Sequence, residues 1–596
     1  LRPSSFLCGA STQVLVANEA LSLRCVKNQI KPALTSAAAN MDASSDRLFC
    51  CRWVRNKVPA ACRDELYHIL RMTGPLLLSR ILHYLLPFVV TMFCGRLGND
   101  VMAGYGLASA AINVTTAATG CGLGLACDTL VSQTFGGQNL LRVGVILQRG
   151  IIILLLFCLP CWGLLINAEA ILLCMGQEPE VAMFLYNLQV SYLQNQGIIM
   201  PQMYTALLAN VANLATNYAF LHWANLGVVG SAAANTLSQI YICVFLFAYI
   251  WWKKLHVNTW GGWSVESLQE WGSYMKLAIP SLLMVCFEWW VYEFGGFFAG
   301  MLSEDELAAQ HAVIMIAFIT YMFPLGIQAA ACARVGNALG AGDTARALLA
   351  SKLSLSLAGV VLGCTKTVIG HIFTSDDKSV CRTEPEVSHV RLLSSQCVCT
   401  GIFLGTGKQR IPAVANFIAY YCVGLTMSVV LMFVAKLRVL GFWLGLLICV
   451  VLHSTFYIIV IFRLNWKKMT EEVFQLSSSL TVTTPRLSQP VSSSGQPCPD
   501  RCAILSTKGC TPVKTQQHDG NSETRVEQEV RRQKGGRLST TQLIIRRGLT
   551  MVTALAFLAV GTAVHFLVPL PEIGSNSTLD GINTTFTPHT ISSPVL

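Results

Sequence analysis

The sequence predicts an all-α polytopic membrane protein: two pseudo-symmetric six-helix bundles arranged as parallel repeats, plus an extra C-terminal transmembrane helix. Three observations predict it. The 596 residues are 53% hydrophobic and only 12% charged, a balance foreign to a soluble globular chain. Apolar stretches long enough to cross a bilayer recur along the chain. A weak internal repeat of about 205–210 residues relates its two halves.

Stretches of roughly 20 apolar residues fall at 69–93, 101–126, 145–166, 198–221, 228–252, 277–301, 308–332, 347–364, 411–435, 440–462 and 548–568. Two weaker stretches, 181–197 and 386–405, complete the set. Several spans hold a proline (Pro87, Pro160, Pro280, Pro324), which a membrane tolerates where neighbours satisfy the freed backbone.

The loops alternate in charge. Basic residues cluster before the first span (Arg52, Arg55, Lys57, Arg63), then after the second (Arg142, Arg149), sixth (Lys253, Lys254), eighth (Arg334, Arg346, Lys352), tenth (Lys408, Arg410) and twelfth (Lys467, Lys468). The loops between carry Glu169, Glu178 and Glu180, then Glu304, Asp305 and Glu306, with Arg438 as the exception. The positive-inside rule then places the amino terminus in the cytoplasm, and the alternation holds only if both weak stretches cross.

The expected organisation is a polar segment 1–66, an N-lobe bundle 67–254 and a C-lobe bundle 255–466. A disordered cytoplasmic segment 467–547, rich in Ser, Pro, Gln and Thr, follows; then come the extra span 548–568 and an extracellular tail 569–596. Met41 is the first methionine, and residues 1–40, which lack a signal-peptide core, are read as untranslated. Asn576 and Asn583 open glycosylation sequons, and thirteen crossings from an inside start put them outside.

The net charge of +11 is explained by cytoplasmic Lys and Arg; no basic run is interleaved with aromatics as a nucleic-acid groove would be. The 23 cysteines lie largely inside apolar spans and lack zinc-ligand spacing. No metal, cofactor or enzymatic centre is expected. The glycine-rich turns at 136–137 and 340–342 have no Walker lysine, so nothing points to ATP.

The repeat is visible in Ser132-Gln133-Thr134-Phe135-Gly136-Gly137-Gln138-Asn139 against Gly336-Asn337-Ala338-Leu339-Gly340-Ala341-Gly342-Asp343. Gln196-Gly197-Ile198-Ile199-Met200-Pro201 likewise echoes Gly407-Lys408-Gln409-Arg410-Ile411-Pro412. Six spans per half give both halves one orientation, hence a repeat axis along the membrane normal and a cavity between the lobes.

The span 277–301 contains Phe287-Glu288-Trp289-Trp290-Val291-Tyr292-Glu293-Phe294. A charge at membrane depth costs about 3 kcal/mol or more, so an acid there is a functional hypothesis by default. Low dielectric disfavours the charged form, which suits a group that takes up and releases protons. Three aromatics beside two acids make a cradle for an organic cation. Positions five apart on a helix differ by about 140°, so Glu288 and Glu293 do not share one narrow face. The bland alternative is a protonated acid bonded between helices, and Trp289, Trp290 and Tyr292 could equally be packing or lipid-facing aromatics.

These residues resemble the multidrug and toxin extrusion (MATE) transporters, most closely the vertebrate proton-coupled organic-cation exporters. The resemblance runs from about Tyr67 to Lys468 and rests on Cys127-Asp128-Thr129-Leu130-Val131-Ser132-Gln133, Trp260-Gly261-Gly262-Trp263, Glu288-Trp289-Trp290-Val291-Tyr292-Glu293 and Arg334-Val335-Gly336-Asn337-Ala338-Leu339-Gly340-Ala341-Gly342. It implies a multi-pass plasma-membrane exporter, exchanging organic cations for protons through a central cavity. Asn113 and Tyr321 match polar cavity positions of the family, though each could simply bond a neighbouring helix. His311 is a candidate proton relay, against the alternative of a packed histidine.

The sequence departs from the family at three places. Met315 stands where the vertebrate pattern carries another acid. The fourth span is short and polar, and residues 376–396 are charged where an apolar tenth helix with a glutamate is expected. Lost exons explain these gaps more simply than adaptation does, so an inactive or truncated isoform is the alternative function. A lipid-linked precursor flippase fits less well: it would need basic residues in the cavity, where this chain has acids. The expected partners are organic cations, protons and membrane lipid.

Overall fold

A backbone inside hydrocarbon must satisfy its own hydrogen bonds, and the apolar runs accordingly form helices. The structure is a computed structural model and describes residues 59–97, 112–165, 179–224, 226–364, 393–479 and 539–567. Among these there is no strand.

The first bundle comprises α1 (Ala60–Leu97), α2 (Asn113–Gly136), α3 (Leu140–Leu165), α4 (Pro179–Gln194), α5 (Met200–Tyr218) and α6 (Gly227–Trp252). The second comprises α7 (Trp271–Leu302), α8 (Glu304–Gly340), α9 (Thr344–Cys364), α10 (Leu393–Thr406), α11 (Arg410–Val434) and α12 (Arg438–Arg463). Two further helices follow, α13 (Trp466–Ser479) and α14 (Thr540–Leu567).

Eight helices among the described residues are long and apolar enough to cross a bilayer. The described part of α4 is 16 residues, about 24 Å, and that of α10 is Leu393–Thr406. In α5 the apolar run is diluted by asparagines that neighbouring α1 consumes: Asn210 Nδ2 donates to the Leu82 carbonyl at 2.7 Å and Asn213 Nδ2 to that of Leu86 at 3.2 Å. Polar side chains spent on another helix's backbone hold a membrane bundle together without exposing dipoles to lipid.

The first bundle shares one core, with Leu86 of α1, Val131 of α2, Ile146 of α3, Phe184 and Leu188 of α4, and Leu246 of α6 all buried in it. The second has two: Val335, Ala347, Phe403 and Tyr457 near one end, and Val291, Tyr420, Phe442 and Trp443 near the other. The bundles meet along α1, α2, α7 and α8, where Ile69, Met72 and Leu76 pack on Ala329, Ala330 and Ala333, and Ala118 packs with Met284, Val285 and Cys332.

The internal repeat survives in backbone geometry. Gln138 and Gly342, equivalent in the two halves, both adopt positive φ (61° and 79°); so do Gly197 and Gly407 (77° and 73°), which the structure matches one position out of the sequence register. At the seam the repeat turns upon itself: Gly136 lies against the backbone of Asn337, and Gly340 against that of Gln133. No side chain fits between backbones this close, which is why glycine stands at both positions.

Residues 466–479 form a helix inside a segment expected to be structureless. The reason is an apolar face: Trp466 and Met469 are buried against the second bundle, and Thr470 Oγ1 meets Thr344 Oγ1 at 2.9 Å. The last helix, α14, starts at Thr540, earlier than its apolar run, and lies on α3. There Gly561 meets Gly163 backbone to backbone. Arg547 Nε donates to the Leu268 carbonyl at 2.9 Å, with its guanidinium 4.0 Å over the Trp271 ring.

Gly136→Ala should force the two backbones of the seam apart at a cost of about 1–3 kcal/mol, the usual range for overpacking. Gly124→Ala, on the same helix with open space around it, should be tolerated. Thermal denaturation of the detergent-solubilised protein compares the two; equal midpoints would contradict the close seam.

Candidate functional site

Helix α7 runs 32 residues through the junction of the two bundles, so its faces look into different surroundings. Glu288 and Glu293 diverge as their five-residue spacing predicts. Glu288, 8% exposed, faces the second bundle, where the Tyr321 hydroxyl of α8 donates to its Oε1 at 3.1 Å. Glu293, half-buried, faces the first bundle and is hydrogen-bonded by the side chain of Asn113 at the start of α2.

Each carboxylate has its own supporting shell. Around Glu288, Tyr292 lies one turn further along α7, its ring 6.3 Å from that of Trp443, whose indole donates to Gln310 Oε1 at 2.9 Å. The Tyr457 hydroxyl donates to Asn416 Oδ1 at 2.6 Å, and Asn416 Nδ2 donates to the Met284 carbonyl of α7 at 2.8 Å. Gln396 Nε2 donates to the Tyr420 hydroxyl at 2.7 Å. On the Glu293 side, Trp290 Nε1 donates to the Val114 carbonyl at 3.1 Å. That carbonyl belongs to a π-helical turn, Asn113–Ala117, with which α2 begins. An inserted residue of this kind re-aims the side chains beside it, and such turns gather at functional sites. A second π-helical stretch, Phe417–Leu425, carries Tyr420.

The structure therefore divides the expected residues into two groups: Glu288, Tyr292 and Tyr321 inside the second bundle, and Glu293, Trp290 and Asn113 at the seam. Trp289 is the most exposed of the three aromatics at 36% and joins neither group. His311 and Met315 lie on α8, but their side chains are outside the described residues, as are Asn576 and Asn583 entirely. Among the described residues neither Glu288 nor Glu293 makes an ion pair, and no cluster of His, Cys, Asp and Glu forms a metal centre.

A further acid inside an apolar helix, half-buried, sits in the motif Cys127-Asp128-Thr129, where hydropathy reading passes over it. Asp128 of α2 accepts from Ser191 Oγ, from Gln194 Nε2 at 3.1 Å and from Asn195 Nδ2 at 2.6 Å. The signal was the one that found Glu288, an acid inside an apolar helix; what distinguishes Asp128 is that three neutral donors converge on its Oδ1.

The MatE family model matches this chain twice, over residues 75–219 and 280–430, once in each bundle. The chain is 44% identical to multidrug and toxin extrusion protein 1 of Danio rerio, over 88% of this chain and 95% of that one. The chain belongs to the MATE family. Its human relative of the same description is 42% identical over 85% of this chain and 95% of its own. Among solved structures, the eukaryotic MATE transporter AtDTX14 superposes with a TM-score of 0.62 at 22% identity, covering 70% of this chain and all of that one. A mutant form of the Vibrio cholerae MATE transporter VcmN gives 0.57 at 15% identity, over 69% of this chain and all of that one. These last two likenesses carry the fold. Membership of the MATE family makes the protein a multi-pass membrane transporter and not an enzyme.

Tyr457→Phe would leave Asn416 Oδ1 buried without its donor, a loss of about 1–3 kcal/mol. The expected outcome is a lower thermal midpoint in detergent. A midpoint equal to that of the parent would show that this shell does not brace α7.

Proposed function

We propose that the protein exports organic cations in exchange for protons, by alternating access between its two bundles. The observation that carries this reading is that α7 holds two carboxylates at membrane depth, each with a single neutral hydrogen-bond donor and no cationic partner among the described residues. An ionised carboxylate has about four acceptor sites. One donor leaves it underserved, and the apolar surroundings penalise its charge. Either a proton or a positively charged ligand relieves that penalty, and the two relieve it in competition. The aromatic faces of Trp290 and Tyr292 supply cation–π attraction for a quaternary or protonated amine.

The division of the two acids suits distinct tasks. Glu293 lies where the lobes meet and is placed to touch a cation between them. Glu288, enclosed by Tyr321, is placed to hold a proton within the second lobe. A proton arriving at this pair weakens the hold on the cation, and the exchange has direction because the ligand binds the two states unequally.

Basic side chains at the ends of α2, α6, α8 and α10 support a cytoplasmic amino terminus. With α14 as a thirteenth crossing, residues 569–596 are extracellular and 480–538 cytoplasmic, in the plasma membrane. A second reading, a chain that folds without transporting, is favoured by Met315 and by the polar fourth span and charged stretch 376–396 of the sequence. Proton-coupled uptake by the chain as it stands would rule it out.

Glu293→Gln keeps the shape of the side chain and removes its charge. A lost contact of about 1.4 kcal/mol is a tenfold change, so pH-driven uptake of a tetraalkylammonium probe into vesicles should fall at least roughly tenfold, and Glu288→Gln should do the same. Uptake at the parent level in a well-expressed Glu293→Gln protein would reject the proposal.

A further inference from the structure

We infer that two ion-pair clusters, copied by the internal repeat, latch the bundles together at their basic end, and that both must break for the cation site to open toward that side. The inference rests on the alternating-access reading but concerns residues outside the cation site.

In the first cluster Glu65, near the start of α1 and 3% exposed, is gripped by residues of the other bundle. Arg334 of α8 reaches it with two parallel bonds, Nε to Oε1 at 2.7 Å and a terminal nitrogen to Oε2 at 2.6 Å. Arg346 of α9 adds a third, Nε to Oε2 at 3.1 Å. In the second cluster Glu270, immediately before α7, meets Arg142 of α3 at 3.2 Å and Arg149 of α3 at 3.6 Å. Glu65 and Glu270 lie one repeat apart in sequence, and so do Arg142 and Arg346. Each bundle thus gives a glutamate from the start of its first helix to an arginine at the start of the other's third helix. Loop charges that the topology rule counts only as cytoplasmic markers are, in these positions, partners across the seam.

The clusters flank a polar zip. Thr129 Oγ1 donates to the Leu404 carbonyl at 2.8 Å, Gln133 Nε2 to that of Gly405 at 2.9 Å, and Gln409 Nε2 to Thr129 Oγ1 at 2.6 Å. In the repeat-related place, Asn337 Nδ2 donates to the Asn195 carbonyl at 3.3 Å. Asp128 holds the Asn195 side chain from behind, which fixes the turn that Asn337 must meet.

Such contacts suit a latch better than permanent glue. Burying an ion pair costs hydration that its attraction only roughly repays, so a closed pair and two rehydrated charges are close in free energy. Losing one partner is different, because the survivor stays buried and unpaired while the seam is shut. Removing a glutamate should therefore favour the open seam, where the stranded arginines regain water.

The test uses Ser132→Cys, which sets a thiol at the seam where the Ser132 hydroxyl lies against Gly336. Inside-out vesicles are treated with a membrane-impermeant maleimide, with neither substrate nor pH gradient, and labelling is counted above that of the protein retaining Ser132. Glu65→Gln and Glu270→Gln should each speed labelling several-fold, and together more than either alone. A thiol placed by Ala206→Cys, inside the first bundle and fully buried, should stay unlabelled in the same variants. Glu270 is a third exposed, so its variant will fold and decides the matter even if Glu65→Gln does not. Labelling of Glu270→Gln at the parent rate would overturn the latch, as would a rise shared by the Ala206 position, which would mean general loosening. Because the readout involves no transport, its failure is separate from a failure of the exchange mechanism.

Discussion

A carboxylate in hydrocarbon must be neutralised, donated to, or removed, and the acids of α2 and α7 show the difference. Asp128 accepts from three side chains at the end of α4, all on its Oδ1, and so ties α2 to that turn. Glu288 and Glu293 accept from one neutral donor each, Tyr321 and Asn113. The proposed exchange draws on that deficit. Tyr457, Asn416 and Gln396 brace the neighbouring helices with their hydrogen bonds to each other, to Tyr420 and to the α7 backbone, leaving the acids unserved.

Duplication settles where the rest of the machinery goes. Because each half carries the same helices in the same orientation, any interaction between equivalent ends is made twice, with the roles of the lobes exchanged. That explains why Gly136 and Gly340 each press on the other half, and why the pairs Glu65–Arg346 and Glu270–Arg142 mirror one another. The copies are unequal: Glu65 is almost wholly buried under a bidentate arginine, while Glu270 keeps a third of its side chain in water. A protein whose two seams differ in strength has a preferred order for parting them.

Much of this was legible before any coordinates. Hydropathy alone located the long helices, since an apolar run of about 20 residues has few other uses, and the positions of Glu288 and Glu293 followed from the rarity of acids in such runs. Their divergence followed from helix geometry. Other features were hidden for identifiable reasons. The amphipathic helix at Trp466 sits in polar sequence, and only its contact with Thr344 and the second core makes it a folded element. The π-helical turn at Asn113 has no composition of its own that would mark it. The partners of Glu65 and Glu270 are separated from them by more than a hundred residues, and a sign-counting rule sees their charges without their pairings.

The mounting of the two terminal helices has a practical meaning. α14 rests on α3 through Gly163 and Gly561, whereas α13 is seated on α8 and α9 through Thr344 and the second core. Each is seated mainly on a different half of the machine, with Arg547 of α14 also reaching the second at the start of α7. A dye carried on α13 and another carried at the end of α14 would ride on opposite lobes, and the distance between them would register the rocking of the transporter from outside, with no label in the translocation path.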